Sequence, residues 1–252
     1  MKYLRYFIQL SYKGTNFHGW QYQVNAPTIQ AVLEKSLSLI LQEQIETTGA
    51  GRTDTGVHAK YFMAHFDSSG ELNLPEILYK LNRILPDDIA IQQIYKAKPA
   101  AHSRFDALSR TYEYHLHFRK DPFVNEYSLY IHEQLNINLM NQAAEKLLIY
   151  DDFTSFSKLH SNNKTNICNI IRAFWTYSEV EQKAVFTIEA DRFLRNMVRA
   201  VVGTLIDTGR GKISPENFTK IIESKDRSKA SSSAPSQGLF LVSVKYPDNI
   251  FV

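Results

Sequence analysis

The segment that most limits the fold of this chain is Arg110 to Phe118, where polar and apolar residues alternate from Thr111 onward. Tyr112, Tyr114, Leu116 and Phe118 fall on one side, and Thr111, Glu113, His115 and His117 on the other. Successive side chains of a strand point to opposite faces, so this pattern predicts a half-buried strand in an antiparallel sheet. It also makes the histidines polar strand-face residues. A helix would need apolar residues every three to four positions.

Other segments do show that helical spacing. Ile29, Val32, Leu33, Leu37 and Ile40 predict a helix from Thr28, its cap, to about Leu41. Pro75 opens a helix to about Ile84, Leu139 begins one to about Ile149, and Pro215 opens one to about Glu223. A longer helix is predicted from Arg192 to Thr208, capped by Gly209. Strands are predicted at 3–12, 61–67, 89–96, 170–178, 184–190 and 238–246, and a flexible Ser-rich segment at 225–237. Helices and strands are mixed in both halves, with a break near 98–109. The expected class is α+β: two similar lobes with mainly antiparallel sheets flanked by helices, spanning 1–105 and 106–252, with an active-site cleft between them.

Composition supports a globular protein, with 44% hydrophobic and 22% charged residues. The net charge of +3 permits nucleic-acid binding without demanding it. The single cysteine, Cys168, cannot form an internal disulfide, which fits a reducing, cytoplasmic location. The residues after Met1 lack the apolar stretch of a signal peptide, and the run Met197 to Ile206 is interrupted by Arg199, so no membrane span is expected.

Chemistry concentrates in Gly49-Ala50-Gly51-Arg52-Thr53-Asp54-Thr55-Gly56-Val57-His58-Ala59. The dinucleotide fingerprint fails because Asp54 stands where its third glycine belongs, and the P-loop fails because Val57 follows Gly56. Read alone, Asp54 is ordinary turn chemistry. On the predicted helix after residue 191, Arg192, Arg195 and Arg199 share one arc and the apolar residues the other. Such a ridge suits phosphates or a carboxylate, although a solvated basic face is the common case. Tyr112 is a core aromatic or a platform for an unstacked base. The histidines lack a carboxylate or thiol at ligand spacing, so no metal is expected. These residues together read as an RNA-binding enzyme or module.

The motif Gly51-Arg52-Thr53-Asp54-Thr55-Gly56-Val57-His58-Ala59 resembles the active-site motif of the TruA family of tRNA pseudouridine synthases. The resemblance extends along almost the whole chain. It includes Tyr12-Lys13-Gly14 with Phe17-His18-Gly19-Trp20-Gln21, and His102-Ser103-Arg104-Phe105-Asp106-Ala107 before Arg110-Thr111-Tyr112. It continues with Asp152-Phe153-Thr154-Ser155-Phe156, Phe193-Leu194-Arg195-Asn196-Met197-Val198-Arg199, and Gly238-Leu239. Two departures, Thr55 where the family often has Ala and the serines 231–233, touch no proposed catalytic group.

The resemblance implies an isomerase that makes pseudouridine at tRNA positions 38, 39 and 40 in the anticodon stem-loop. It implies Asp54 as the catalytic carboxylate, Arg52 beside it, and Arg199 as the basic partner of the aspartate and the RNA. Tyr112 would stack on the target uracil, Leu239 would press on it, and Arg195 belongs to the same motif. Family members resemble homodimers bridged by tRNA. The reaction keeps its parts bound throughout, so no cofactor is expected. Phosphate contacts are sought at Arg52, Arg192, Arg195, Lys158, Lys164 and Arg172. A synthase acting on another RNA, or a non-catalytic RNA-binding module, are the competing readings.

Overall fold

The computed structural model describes residues 3–158 and 164–252. Its contacts divide the chain into two compact units, Met1–Ser109 with Leu241–Val252, and Arg110–Phe240. The residues after Phe240 thus belong with the first unit, whereas a single cut near residue 105 leaves them with the second. Among the described residues no helix is long and apolar enough to cross a membrane.

In the first unit, β1 (Leu4–Tyr12) pairs antiparallel with both β3 (His58–Ser68) and β4 (Ile89–Lys96), and β2 (Thr47–Gly49) pairs antiparallel with β3. Strand β1 buries residues of both faces: Tyr6, Ile8, Leu10 and Tyr12 on one and Phe7 on the other. The Phe7 ring packs on His65 and meets Tyr246 and Phe251 edge-on, each centroid 5.6 Å away for the last two.

Helix α1 (Ile29–Leu41) starts where the sequence predicts, with the Thr28 hydroxyl accepting from Ala31 N–H at 3.3 Å. Its buried residues Ile29, Leu33 and Leu37 recur every four positions, one stripe of the helix. Helix α2 (Leu74–Ile84) begins with Asn73 capping Glu76 N–H and Pro75 in its first turn, and it buries Ile77 and Leu81.

In the second unit, β5 (Ser109–His117) pairs antiparallel with β8 (Lys183–Ala190), which pairs antiparallel with β7 (Ile170–Ser178). The short β6 (Leu129–Tyr130) runs parallel to β5. Helices α3 (Ile137–Lys146), α4 (Met197–Gly209) and α5 (Pro215–Ser224) complete it. Strand β9 (Leu239–Lys245) carries the chain back to the first unit. The α+β class with mainly antiparallel strands holds as expected.

Four local expectations need correction. Tyr112, Tyr114 and Leu116 are buried as the alternation predicts, but Thr111 and His117 on the other side are buried too. His117 is therefore no polar-face residue; its Nδ1 lies 2.5 Å from the Ser128 hydroxyl inside the unit. Second, α4 starts at Met197, five residues later than predicted, because Asn196 takes a left-handed conformation (φ 65) and breaks the helical path.

Third, Gly209 is the last helical residue rather than the cap; the chain turns left-handed two residues later, at Gly211. Fourth, the Ser-rich segment is pinned. Ser231 N–H donates to the Thr204 hydroxyl, Ala234 N–H to the Arg199 carbonyl, and Arg227 to Ala230 and Ser231 carbonyls.

Candidate functional site

The Asp54 loop is held by the turn that follows β1. Thr53 is the centre of the attachment: its hydroxyl accepts from Trp20 N–H at 3.0 Å and lies 3.0 Å from the Tyr12 hydroxyl. Within the loop, Val57 N–H closes a turn on the Asp54 carbonyl at 3.1 Å, with Gly56 left-handed (φ 76). Gly56 N–H donates to the Phe17 carbonyl at 3.2 Å.

The two segments touch backbone to backbone. A Cβ on Gly14 would lie 2.0 Å from the Val57 carbonyl oxygen, and one on Gly19 would lie 2.1 Å from that of Thr53. Only glycine permits such an approach. His58 adds a clamp, its buried Nδ1 accepting from Gly14 N–H at 3.1 Å. An accepting Nδ1 carries no proton there.

The result is a half-buried Asp54 carboxylate on a backbone fixed at Thr53, Gly56, Val57 and His58, with an exposed Arg52 two residues before it. A carboxylate so held can attack a carbon or take a proton without first ordering its loop. The role of His58, and of Gly14 and Gly19 as contact glycines, escaped local sequence reading, because it depends on segments some forty residues apart meeting.

In the second unit, three more expected residues stand on elements that meet. Tyr112 lies on β5, 9% exposed, with its ring edge-on to Phe193 at 5.2 Å. Arg199 lies in the first turn of α4, and its Nε donates to the Ala234 carbonyl at 2.7 Å. From the same stretch, the Pro235 carbonyl accepts from the Tyr114 hydroxyl at 2.8 Å. Leu239 follows, buried at the start of β9. Residues 234–239 thereby connect β5 to the head of α4. Burial pushes the Tyr114 phenol above its usual range, and the Arg199 charge works against that.

The arginine ridge is not as predicted. Ten of the thirteen residues of α4 are buried, leaving Arg199, Gly203 and Asp207 as a stripe, and residues 231–234 cover it. Arg192 and Arg195 precede the helix; Arg195 is exposed and its carbonyl accepts from Lys158 N–H. Arg172 is committed to the buried Glu189, Nε to Oε2 2.8 Å. Lys158 and Lys164 are exposed. No group of three or more His, Cys, Asp or Glu among the described residues is placed to hold a metal ion.

The chain is also similar in sequence to known proteins. A family model described as tRNA pseudouridine synthase matches residues 9–106 and 143–247. The tRNA pseudouridine synthase A of Bacteroides fragilis is 54% identical over 252 residues, covering all of both chains. That of Bacteroides thetaiotaomicron is 53% identical, over 98% of this chain and 92% of its own. That of Thermoanaerobacter pseudethanolicus is 40% identical, over 95% of this chain and 98% of its own.

Proposed function

Because the chain belongs to the tRNA pseudouridine synthase family, we propose that it converts uridine to pseudouridine at positions 38, 39 and 40 of the tRNA anticodon stem-loop, with Asp54 as its nucleophile or base. The observation that carries the reading is the immobilised turn at Asp54, bounded by Thr53 and Val57.

The reaction breaks the N1–C1′ bond, turns the uracil and joins C5 to C1′. The proton lost from C5 is matched by one gained at N1, so the product is an isomer and no cofactor is consumed. Asp54 serves either by adding to C1′ or by removing a sugar proton to allow elimination. A base inside a stem must first leave its stack, which costs a few kcal/mol. Tyr112 stacks on the extruded uracil and Leu239 presses on it, returning part of that cost. Arg52, Arg195 and Arg199 supply positive charge to the RNA. The enzyme works as a cytoplasmic homodimer.

The test is to incubate the protein with unmodified tRNA and map pseudouridine by chemical labelling. Product at 38–40 is expected. Product only in another RNA moves the assignment to that target, and none in any RNA sinks it. Asp54→Asn should bind tRNA and lose turnover; an active variant refutes the role given to Asp54.

A further inference from the structure

A groove of about 190 Å³ opens beside the Asp54 loop, within the first unit. Trp20, Thr48, Gly49, Gly51, Arg52 and Arg104 are among its lining residues. Gly51 is the unusual member. Its φ is not left-handed, and a Cβ built on it meets no other atom within 4 Å. Neither the turn nor the packing requires glycine here, in contrast to Gly14 and Gly19. What an absent side chain does provide is bare backbone facing the groove, where a ligand can come close.

The groove is also charged and fixed. Exposed Arg52 and Arg104 both line it. The residue before Arg104 is fastened to the groove floor: the Ser103 hydroxyl donates to the Thr48 carbonyl at 2.6 Å, and Ser103 N–H donates to His65 Nδ1 at 3.1 Å. Beyond Arg104, Phe105 is 75% exposed, and the Arg104 guanidinium lies 5.7 Å from its ring. An exposed aromatic next to a cation is the pairing that receives a single-stranded base and its phosphate.

We propose that this groove seats a phosphodiester of the bound RNA against the Gly51 backbone, between Arg52 and Arg104, with the neighbouring base on Phe105. Two guanidiniums match a phosphate's oxygens, and the small volume suits that group rather than a whole nucleotide. The groove then fixes the strand beside the nucleotide that meets Asp54. The inference rests on the tRNA-modifying reading for the identity of the strand, and the two residues varied in its test, Gly51 and Arg104, are given no part in the bond changes.

The experiment measures binding of an unmodified tRNA transcript to the full-length protein at several salt concentrations. Wild type is compared with Gly51→Ala and Arg104→Ala, with thermal unfolding recorded for each. Gly51→Ala should melt at the wild-type temperature or above, since alanine suits the backbone there, yet bind at least tenfold more weakly. Arg104→Ala should weaken binding and make the slope of log K against log salt shallower by about one.

Wild-type affinity and slope in both variants would overturn the proposal. Should Gly51→Ala unfold, the assumed open space is refuted, and Arg104→Ala alone decides the charge. Pseudouridine mapping with the wild type tests the broader reading separately. Product formation together with unaltered variants rejects the groove but leaves the enzyme assignment standing.

Discussion

His65 makes stability depend on mild acid. Its ring is 6% exposed on β3, and its pKa is lowered from 6.5 to about 4. Burial is the main cause; the charge of Arg5 and then His102 add to it. The ring is held as an acceptor, because Nδ1 takes the Ser103 N–H. Between pH 4 and 6.5 the unfolded chain therefore binds a proton that the folded chain refuses. Stability from this group is fully present above 6.5 and is lost as pH falls through 6.5 toward 4.

From pH 7.5 to 5 the linkage amounts to about 2 kcal/mol, and screening by nearby water reduces it to roughly 1–2 kcal/mol. The assay is urea unfolding at pH 7.5, 6.5, 5.5 and 5, for wild type and His65→Asn. Asparagine can offer an acceptor but does not titrate. The stability advantage of wild type over the variant should shrink by roughly 1–2 kcal/mol across the range. An advantage that stays constant across the range refutes the reasoning.

Three further outcomes are expected. Gly14→Ala forces a methyl into the Val57 carbonyl, so it should lower stability by roughly 1–3 kcal/mol and abolish pseudouridine formation; a wild-type melting curve would contradict the close contact. Leu37→Ala, fully buried on α1, should cost about 2–5 kcal/mol in urea unfolding with the same slope. Arg199→Lys keeps the charge but loses the Nε bond to Ala234; single-turnover rates should fall roughly ten- to a hundredfold, from about 1.5–3 kcal/mol of lost charged hydrogen bonding, with the circular dichroism spectrum unaltered.

Much of the fold is legible in the sequence where the deciding interactions are local. Thr28 before a four-residue apolar repeat marks the start of α1, and β4, β7 and β8 stand where the apolar and β-branched residues predict them. The start of α4 was hidden because Phe193 and Leu194 continue the helical apolar spacing. Spacing cannot register that Asn196 turns left-handed and bonds Ser233 from a distant segment. The serines 231–233 read as flexible for the same reason: composition does not reveal that the Thr204 hydroxyl awaits the Ser231 backbone and the Arg199 carbonyl that of Ala234.

The candidate site divides likewise. Asp54 drew attention through its motif and resemblance, whereas its support comes from Tyr12, Gly14, Gly19 and Trp20, whose purpose is invisible until the two loops are side by side.

The return of the chain through β9 has a consequence for synthesis. Tyr246 and Phe251 flank Phe7, and the Tyr246 hydroxyl donates to the Ser103 carbonyl. On the ribosome, the first unit emerges well before these residues exist, and the whole second unit is made in between. A nascent chain ending at Ser109 therefore carries an unfinished aromatic core, open to chaperones or to misassociation, until Tyr246 and Phe251 arrive behind the final strand to close it.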